Sequence, residues 1–334
     1  MTPNKSPFTG GEVLLVQEWV ERAFRKEAFG IWEHYYVCKD TGRDFSNQDL
    51  DELNVQQVYN LYRSRHHIPF PDEIRHIREQ YGLSAAKMSE LLDLGTNSYR
   101  LYESGEMPSL ANARLVRLAA DPEQFRIVLE ENRSLFSDAQ YKKVMGRTEA
   151  LLIKDKLTDI FAYLWNFHPE ANEFTGFVKP DFQKVAQFVL FFAQEARPLK
   201  TRMNKLLFYC DFLHFKRTGF SISGCNYRAI PFGPVPSHFH ELFGILEAEK
   251  YISIEQELFE HGTIGERFAA AQNFKPELFT EKELAHMREI VASFQDIRTQ
   301  KLIEISHDEK GWAENQQSRS LISYQQYAFH LKGI

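Results

Sequence analysis

The tightest constraint on this chain lies between Asp72 and Asn132, where helix signals and stop signals alternate so densely that only short helices fit. Ile74, Ile77 and Tyr81 share one helical face, and Gly82 ends that helix. Ser84 is a good N-cap for a helix over residues 85–92, with Met88, Leu91 and Leu92 facing inward. Gly95 turns the chain into a further helix over 96–103, which Gly105 terminates. Pro108-Ser109 opens a helix carrying Ala113, Val116 and Leu118, and Asp121-Pro122 caps the next. The expectation is five short helices forming a compact α module.

The flanks read differently. Residues 12–38 are rich in β-branched and aromatic side chains (Val13, Val16, Trp19, Val20, Ile31, Trp32, Tyr35, Tyr36, Val37) broken by Gly30, the pattern of a short antiparallel sheet. Leu50, Leu53, Val55, Val58 and Leu61 then favour a helix that Pro69 and Pro71 stop. Residues 133–167 read as a helical connector, followed by a loop with Pro169, Gly176 and Pro180. Beyond it, 182–196 and 201–216 are apolar helices, 219–236 is a loop dense in Gly and Pro, and Thr280 to Glu283 spell a capping box. Short strands are expected near 226–230, 251–254 and 267–270. The fold class is therefore mainly α, α+β overall, in four parts: 1–60, 61–135, 136–180 and 181–334.

A chain of 334 residues exceeds what one core usually organises, and 43% hydrophobic with 14% aromatic content suits folded domains. The net charge of -6 means that any nucleic-acid contact must come from a local surface. No stretch approaches the roughly 20 apolar residues of a membrane span, and the first residues lack a basic segment followed by an apolar one. A cytoplasmic protein is expected, with no membrane partner. Cys38, Cys210 and Cys225, odd in number and far apart, suit a reducing compartment without disulfides.

Residues 84–104 supply a support helix, a turn at Leu94-Gly95 and a second helix, the parts of a helix-turn-helix. Thr96, Asn97, Ser98, Tyr99 and Arg100 are the candidate DNA contacts on the second helix, and Leu101 is expected to face the core. Asn can pair bidentately with adenine and Arg with guanine. Lys87 and Arg75, with Arg63, Arg65 and Arg114, are candidate phosphate contacts. The segment carries almost as many acidic as basic residues, so a protein-docking bundle remains the competing reading. The run Pro71 to Ile74, Arg78 to Ser84, Met88 to Leu92, Gly95-x-Asn97, Tyr102-Glu-x-Gly105 and Asn112-x-Arg-Leu115 resembles the Xre-type helix-turn-helix of MqsA/YgiT-type antitoxins. That resemblance implies base reading by Asn97; the family's Arg before the Tyr-Glu pair is Leu101 here, with Arg100 one residue earlier.

The same family usually starts with two Cys-x-x-Cys pairs holding zinc. Ser6-Pro-Phe-Thr9 and Cys38-Lys-Asp-Thr41 occupy their places, so one thiol of four remains. Hydroxyls do not replace thiolates on Zn(II), and a degenerate, metal-free zinc-finger-like module held by its aromatic cluster is expected. The rival is a site completed by His34, His66 or His67.

In the C-terminal half five segments recur together: Asn204 to Tyr209, Asp211 to Lys216, Gly219 to Gly224, Tyr227 to Pro236 and Ile305 to Trp312. In order and spacing they resemble the Panacea domain, the SocA-like module of many antitoxins, which implies toxin neutralisation. Tyr209, Asp211, Tyr227, Gly233, Pro234, His307, Glu309 and Trp312 are the motif residues. A cluster of Tyr209, Asp211, His307, Glu309 and Trp312 is either a binding floor or an internal strut, and mutual satisfaction of buried polar groups favours the strut.

Cys210 with His214, or His238 and His240 with Glu241, lack a third ligand or a nucleophile turn, so no enzyme, cofactor or metal is expected. The reading is a bacterial antitoxin that binds a cognate toxin through 181–334 and represses its operon as a homodimer on double-stranded operator DNA. A regulator with a ligand- or partner-sensing domain, or a proteolysis adaptor, is the alternative.

Overall fold

The computed structural model describes residues 5–152, 170–259 and 264–334. Among them are 14 α-helices and three small antiparallel sheets, so the chain is mainly α, as its sequence implies. It divides into two compact units, Met1–Leu61 with Ala171–Ile334, and Tyr62–Glu170.

In the first unit, β1 (Val13–Phe24) and β2 (Glu27–Cys38) form a hairpin paired along its whole length, and β3 (Asp44–Phe45) adds to β2 at Tyr36 and Val37. Arg25 and Lys26 both take positive φ in the turn, a conformation that usually asks for Asn or Gly. Gly30 does not break the sheet, contrary to the sequence expectation. It pairs with Glu21 and makes room for the Trp19 ring, since a Cβ there would lie 2.3 Å from Trp19 Cζ2. α1 (Gln48–Arg65) runs beside β2, and its amides complete the strand's edge. Asn54 exchanges hydrogen bonds with the backbone of His34, and Gln57 does the same with Trp32.

The core of this unit is built on α8 (Phe182–Ala196) and α9 (Lys200–Thr218), where Phe188, Val189, Phe192, Leu206, Phe208 and Phe215 are buried. Around them lie the hairpin β4 (Tyr227–Ile230) and β5 (Gly233–Pro236), α10 (Phe239–Ala248) and the hairpin β6 (Ile252–Leu258) and β7 (Ile264–Ala270). α11 (Glu281–Phe294), α12 (Thr299–His307), α13 (Lys310–Asn315) and α14 (Tyr324–Tyr327) complete the unit, and the Thr280 capping box starts α11 as expected. The last segment is a strap: Ile322 donates to Tyr227 O, Gln325 to Gln57, and His330 and Phe329 pack on Trp32 and His34. Residues 1–60, set apart by sequence as their own module, are thus joined to the C-terminal region by side-chain amides and rings.

The second unit holds α2 (Pro71–Tyr81), α3 (Ala85–Leu91), α4 (Ser98–Glu103), α5 (Leu110–Leu118), α6 (Pro122–Glu131) and α7 (Asp138–Leu151). Ser84, Ser109, Asp121 and Ser137 each accept a backbone N–H at a helix start, and Gly82 closes α2 in the left-handed conformation. Tyr81 stacks on Phe125 with ring centroids 3.5 Å apart, and its hydroxyl donates to Ala119 O. The start of the expected linker, 136–180, does not hang free. α7 buries Val144, and Phe136 joins the same core, because a stripe of apolar side chains must be covered. The part of that linker at 153–169 lies outside the described residues.

Candidate functional site

The region quoted as a recurring motif in the C-terminal half builds three braces. Asp211, fully buried on α9, accepts from Ile222 N at 2.8 Å, Ser223 N at 2.9 Å, Ser223 Oγ at 2.5 Å and the Tyr227 hydroxyl at 2.8 Å. Burial pushes this carboxyl up and its four donors pull it down. Nearby, the Tyr324 hydroxyl donates to Cys225 O, so the strap and the 221–227 turn are tied around one point.

The second brace is Glu309. Its carboxylate accepts from Lys332 N at 3.1 Å and Gly333 N at 2.8 Å, anchoring the strap's far end. Burial raises its carboxyl above the ordinary range. Tyr209, also buried, sits beside it; burial pushes the phenol up, and the Glu309 charge adds to that. The sequence reading placed Tyr209, Asp211, His307, Glu309 and Trp312 in one cluster; the structure sets Tyr209 beside Glu309, Asp211 in the first brace and His307 against Trp312 in the third.

The third brace holds the β4–β5 turn. His307 stacks on the Trp312 indole, 3.8 Å between ring centroids and 10° from parallel, and Trp312 Nε1 donates to Ile230 O at 2.7 Å. Gly233 takes φ +98, and a Cβ there would lie 2.4 Å from Ser306 Oγ and 2.7 Å from Lys205 Nζ. Lys205 is 1% exposed and donates to Pro234 O at 3.0 Å. Burial brings its ammonium down to about 7. Sequence reasoning quoted Lys205 within a motif without singling it out, although a lysine inside an apolar helical run was a usable signal.

Tyr209, Asp211, Tyr227, Gly233, Pro234, Glu309 and Trp312 are all buried, and His307 is half-buried. They fix the shape of the domain from inside. Cys210 is buried among apolar neighbours, with burial raising its thiol, and His214 Nδ1 lies 2.8 Å from His286 Nδ1. Among the described residues no group of three or more His, Cys, Asp or Glu side chains is arranged to hold a metal ion, and no helix is long and apolar enough to cross a membrane.

Residues 203–313 match the family model of the antitoxin SocA-like, Panacea domain. The C-terminal part of this chain therefore carries a Panacea-type, antitoxin-like domain, and all eight motif residues named above fall inside the match. α8 and the strap, which complete the same core, lie outside it. No curated protein and no solved structure matches the chain.

In the second unit Thr96, Asn97 and Arg100 are exposed and Ser98 is half-exposed, at the start of α4. Tyr99, taken from sequence as a DNA contact, is instead fully buried: its hydroxyl donates to Ile74 O at 2.8 Å and its N–H to Ser89 Oγ. Leu101, expected in the core, is 44% exposed. α4 begins at Ser98, and the helical period puts Tyr99 and Tyr102 on one face and Leu101 on the other; the face with two rings turns inward, where it buries more apolar area than one leucine. Arg75, Arg65 and Arg114 are exposed, but Lys87 donates to Leu135 O and Glu90 over the Phe136 ring. Arg63 is 1% exposed and holds the carbonyls of Pro69, Gly105 and Glu106, so it braces the unit.

Ser6, Thr9, Cys38 and Thr41 do converge. Thr9 Oγ1 lies 3.6 Å from Cys38 Sγ, and the hydroxyls of Ser6 and Thr41 also point at the sulfur. With Ser6 first, these hydroxyls bring the thiol down to about 6. Two tight turns, Gly10 N to Ser6 O and Gly42 N to Cys38 O, keep the geometry, and Phe8, Tyr36 and Phe45 pack beside it.

Proposed function

We propose that this protein is an antitoxin that neutralises a cognate toxin by direct binding through its C-terminal domain. It would also autoregulate its operon by binding operator DNA as a homodimer through the helix-turn-helix around α3 and α4. The observation that carries the first half is the match of 203–313 to the antitoxin SocA-like, Panacea domain. The braced interior supports it: a rigid domain loses little entropy on docking to another protein. Catalysis has no part in this reading.

The experiment is co-expression of the full chain with the product of the adjacent gene. Rescue of growth and co-purification of the two proteins are expected; failure of both would overturn neutralisation. Truncation is a poor test, because removing 181–334 also strips the cover from β2.

The operator half rests on the exposed Thr96, Asn97 and Arg100. Asn97→Ala should weaken specific DNA binding by about 1–3 kcal/mol. An unchanged gel shift on DNA upstream of the gene would count against it.

A further inference from the structure

β1 is the outermost strand of its sheet, and from Val13 to Ala23 its outer edge is unpaired among the described residues. Which groups line that edge follows from α1. Trp32 and His34 turn their N–H and C=O toward Gln57 and Asn54, so their cross-strand partners Trp19 and Gln17 must point theirs away from β2. The two-residue period extends this to Leu15, Glu21 and Ala23. One edge of the sheet is thus sealed by side-chain amides while the other is left open.

The open edge is also apolar. Leu14 is 55% exposed, Leu15 44% and Trp19 52%, and the strand has neither proline nor lysine to repel pairing. Its charges are Glu18, Glu21 and Arg22; within the hairpin Arg22 pairs with Glu33 and Glu18 accepts from the Tyr35 hydroxyl, and their order along the strand discriminates among registers. An antiparallel second copy centred on Val20 sets Glu18 of each strand opposite Arg22 of the other, twice. In that register Trp19 meets Glu21 and Gln17 meets Ala23, residues whose backbone groups point outward on both strands. Centring on residue 18 or 21 would set a glutamate against its own copy.

We propose that a second copy of this chain adds antiparallel to β1 on a two-fold axis at Val20, making one sheet continuous across the dimer. This deepens the homodimer reading above and rests on it. An exposed apolar edge of this kind is the surface that pairing with a second copy would cover.

Sedimentation equilibrium of the full-length protein tests the pairing. The wild type should be dimeric. Gln17→Pro removes an outward N–H while leaving the β1–β2 ladder intact, and should weaken association about tenfold, the loss of two strand bonds, one on each side of the axis. Glu18→Arg and Arg22→Glu should each weaken it by about tenfold. Mixing those two variants should restore it, because only the mixed pair re-forms a glutamate–arginine contact on both sides. Thermal melts establish that each variant folds. A monomeric wild type, a dimer indifferent to Gln17→Pro, or a mixture no tighter than its components would overturn the proposal, as would a monomer whose β1 pairs with the toxin. Operator binding and growth rescue are measured separately, so their failure is distinguishable.

Discussion

His214 Nδ1 lies 2.8 Å from His286 Nδ1, buried between α9 and α11. One ring must donate its N–H to the bare nitrogen of the other. Burial holds both below the ordinary histidine value; for His214 the facing His286 ring adds most to that, then Lys184, Lys282 and Arg217, and for His286 chiefly Arg217, with Glu283 and Glu289 opposing. A base whose folded-state affinity for protons is depressed costs stability below its unfolded value, here about 6.5. Stability should therefore fall as pH drops from 7 to 5. His286→Gln, which can still donate to His214, should make the fall shallower in urea melts; an unchanged slope would count against the pairing.

Asp211→Asn should destabilise the protein by about 2–4 kcal/mol. The amide would aim an N–H at donors that now converge on a carboxylate. Ser223→Ala removes one of the four, the hydroxyl contact, and should cost less. Denaturant midpoints check both, and equal effects would contradict the four-donor geometry.

Lys205 keeps its proton in the unfolded chain up to about 10.5, the ordinary value, but in the folded protein only to about 7. Between those values the unfolded state binds more protons, so stability rises with pH by up to about 1.4 kcal/mol per unit. Lys205→Met should flatten this rise between pH 7 and 9.5. A wild type with no such rise would refute the burial argument.

Restoring thiols at three positions, Ser6→Cys, Thr9→Cys and Thr41→Cys, should create tight zinc binding with Cys38. Cobalt substitution would report it through the absorption of a tetrahedral thiolate site. The wild type should show none. A triple variant that folds and stays colourless would mean that the four corners do not share one centre.

Much of the second unit was legible because its signals are local: caps at Ser84, Ser109 and Asp121 and stops at Gly82 and Gly105 act within a turn of where they sit. The helical face of α4 was not, since Tyr99 and Leu101 lie on opposite sides of one short helix and either is apolar enough to face the core. The β1–β2 turn escaped for a related reason, as Arg25-Lys26 lacks the residues that its backbone conformation favours. In the C-terminal region the motif residues were identified, yet Asp211 and Glu309 could not be assigned to separate networks. Their partners Ser223 and the backbone of Lys332 and Gly333 are set by tertiary packing alone. The same holds for the amides of Asn54 and Gln57, whose strand-sealing role has no sequence signature.

The strap that lays Phe329 and His330 over His34 and Trp32 carries a consequence for synthesis. The hairpin emerges from the ribosome first, but its cover is translated almost three hundred residues later, a delay of roughly 15 to 60 s at ordinary elongation rates. Throughout that interval the nascent hairpin shows bare rings to solvent, so cellular quality control meets this chain at its most vulnerable before the first unit can close.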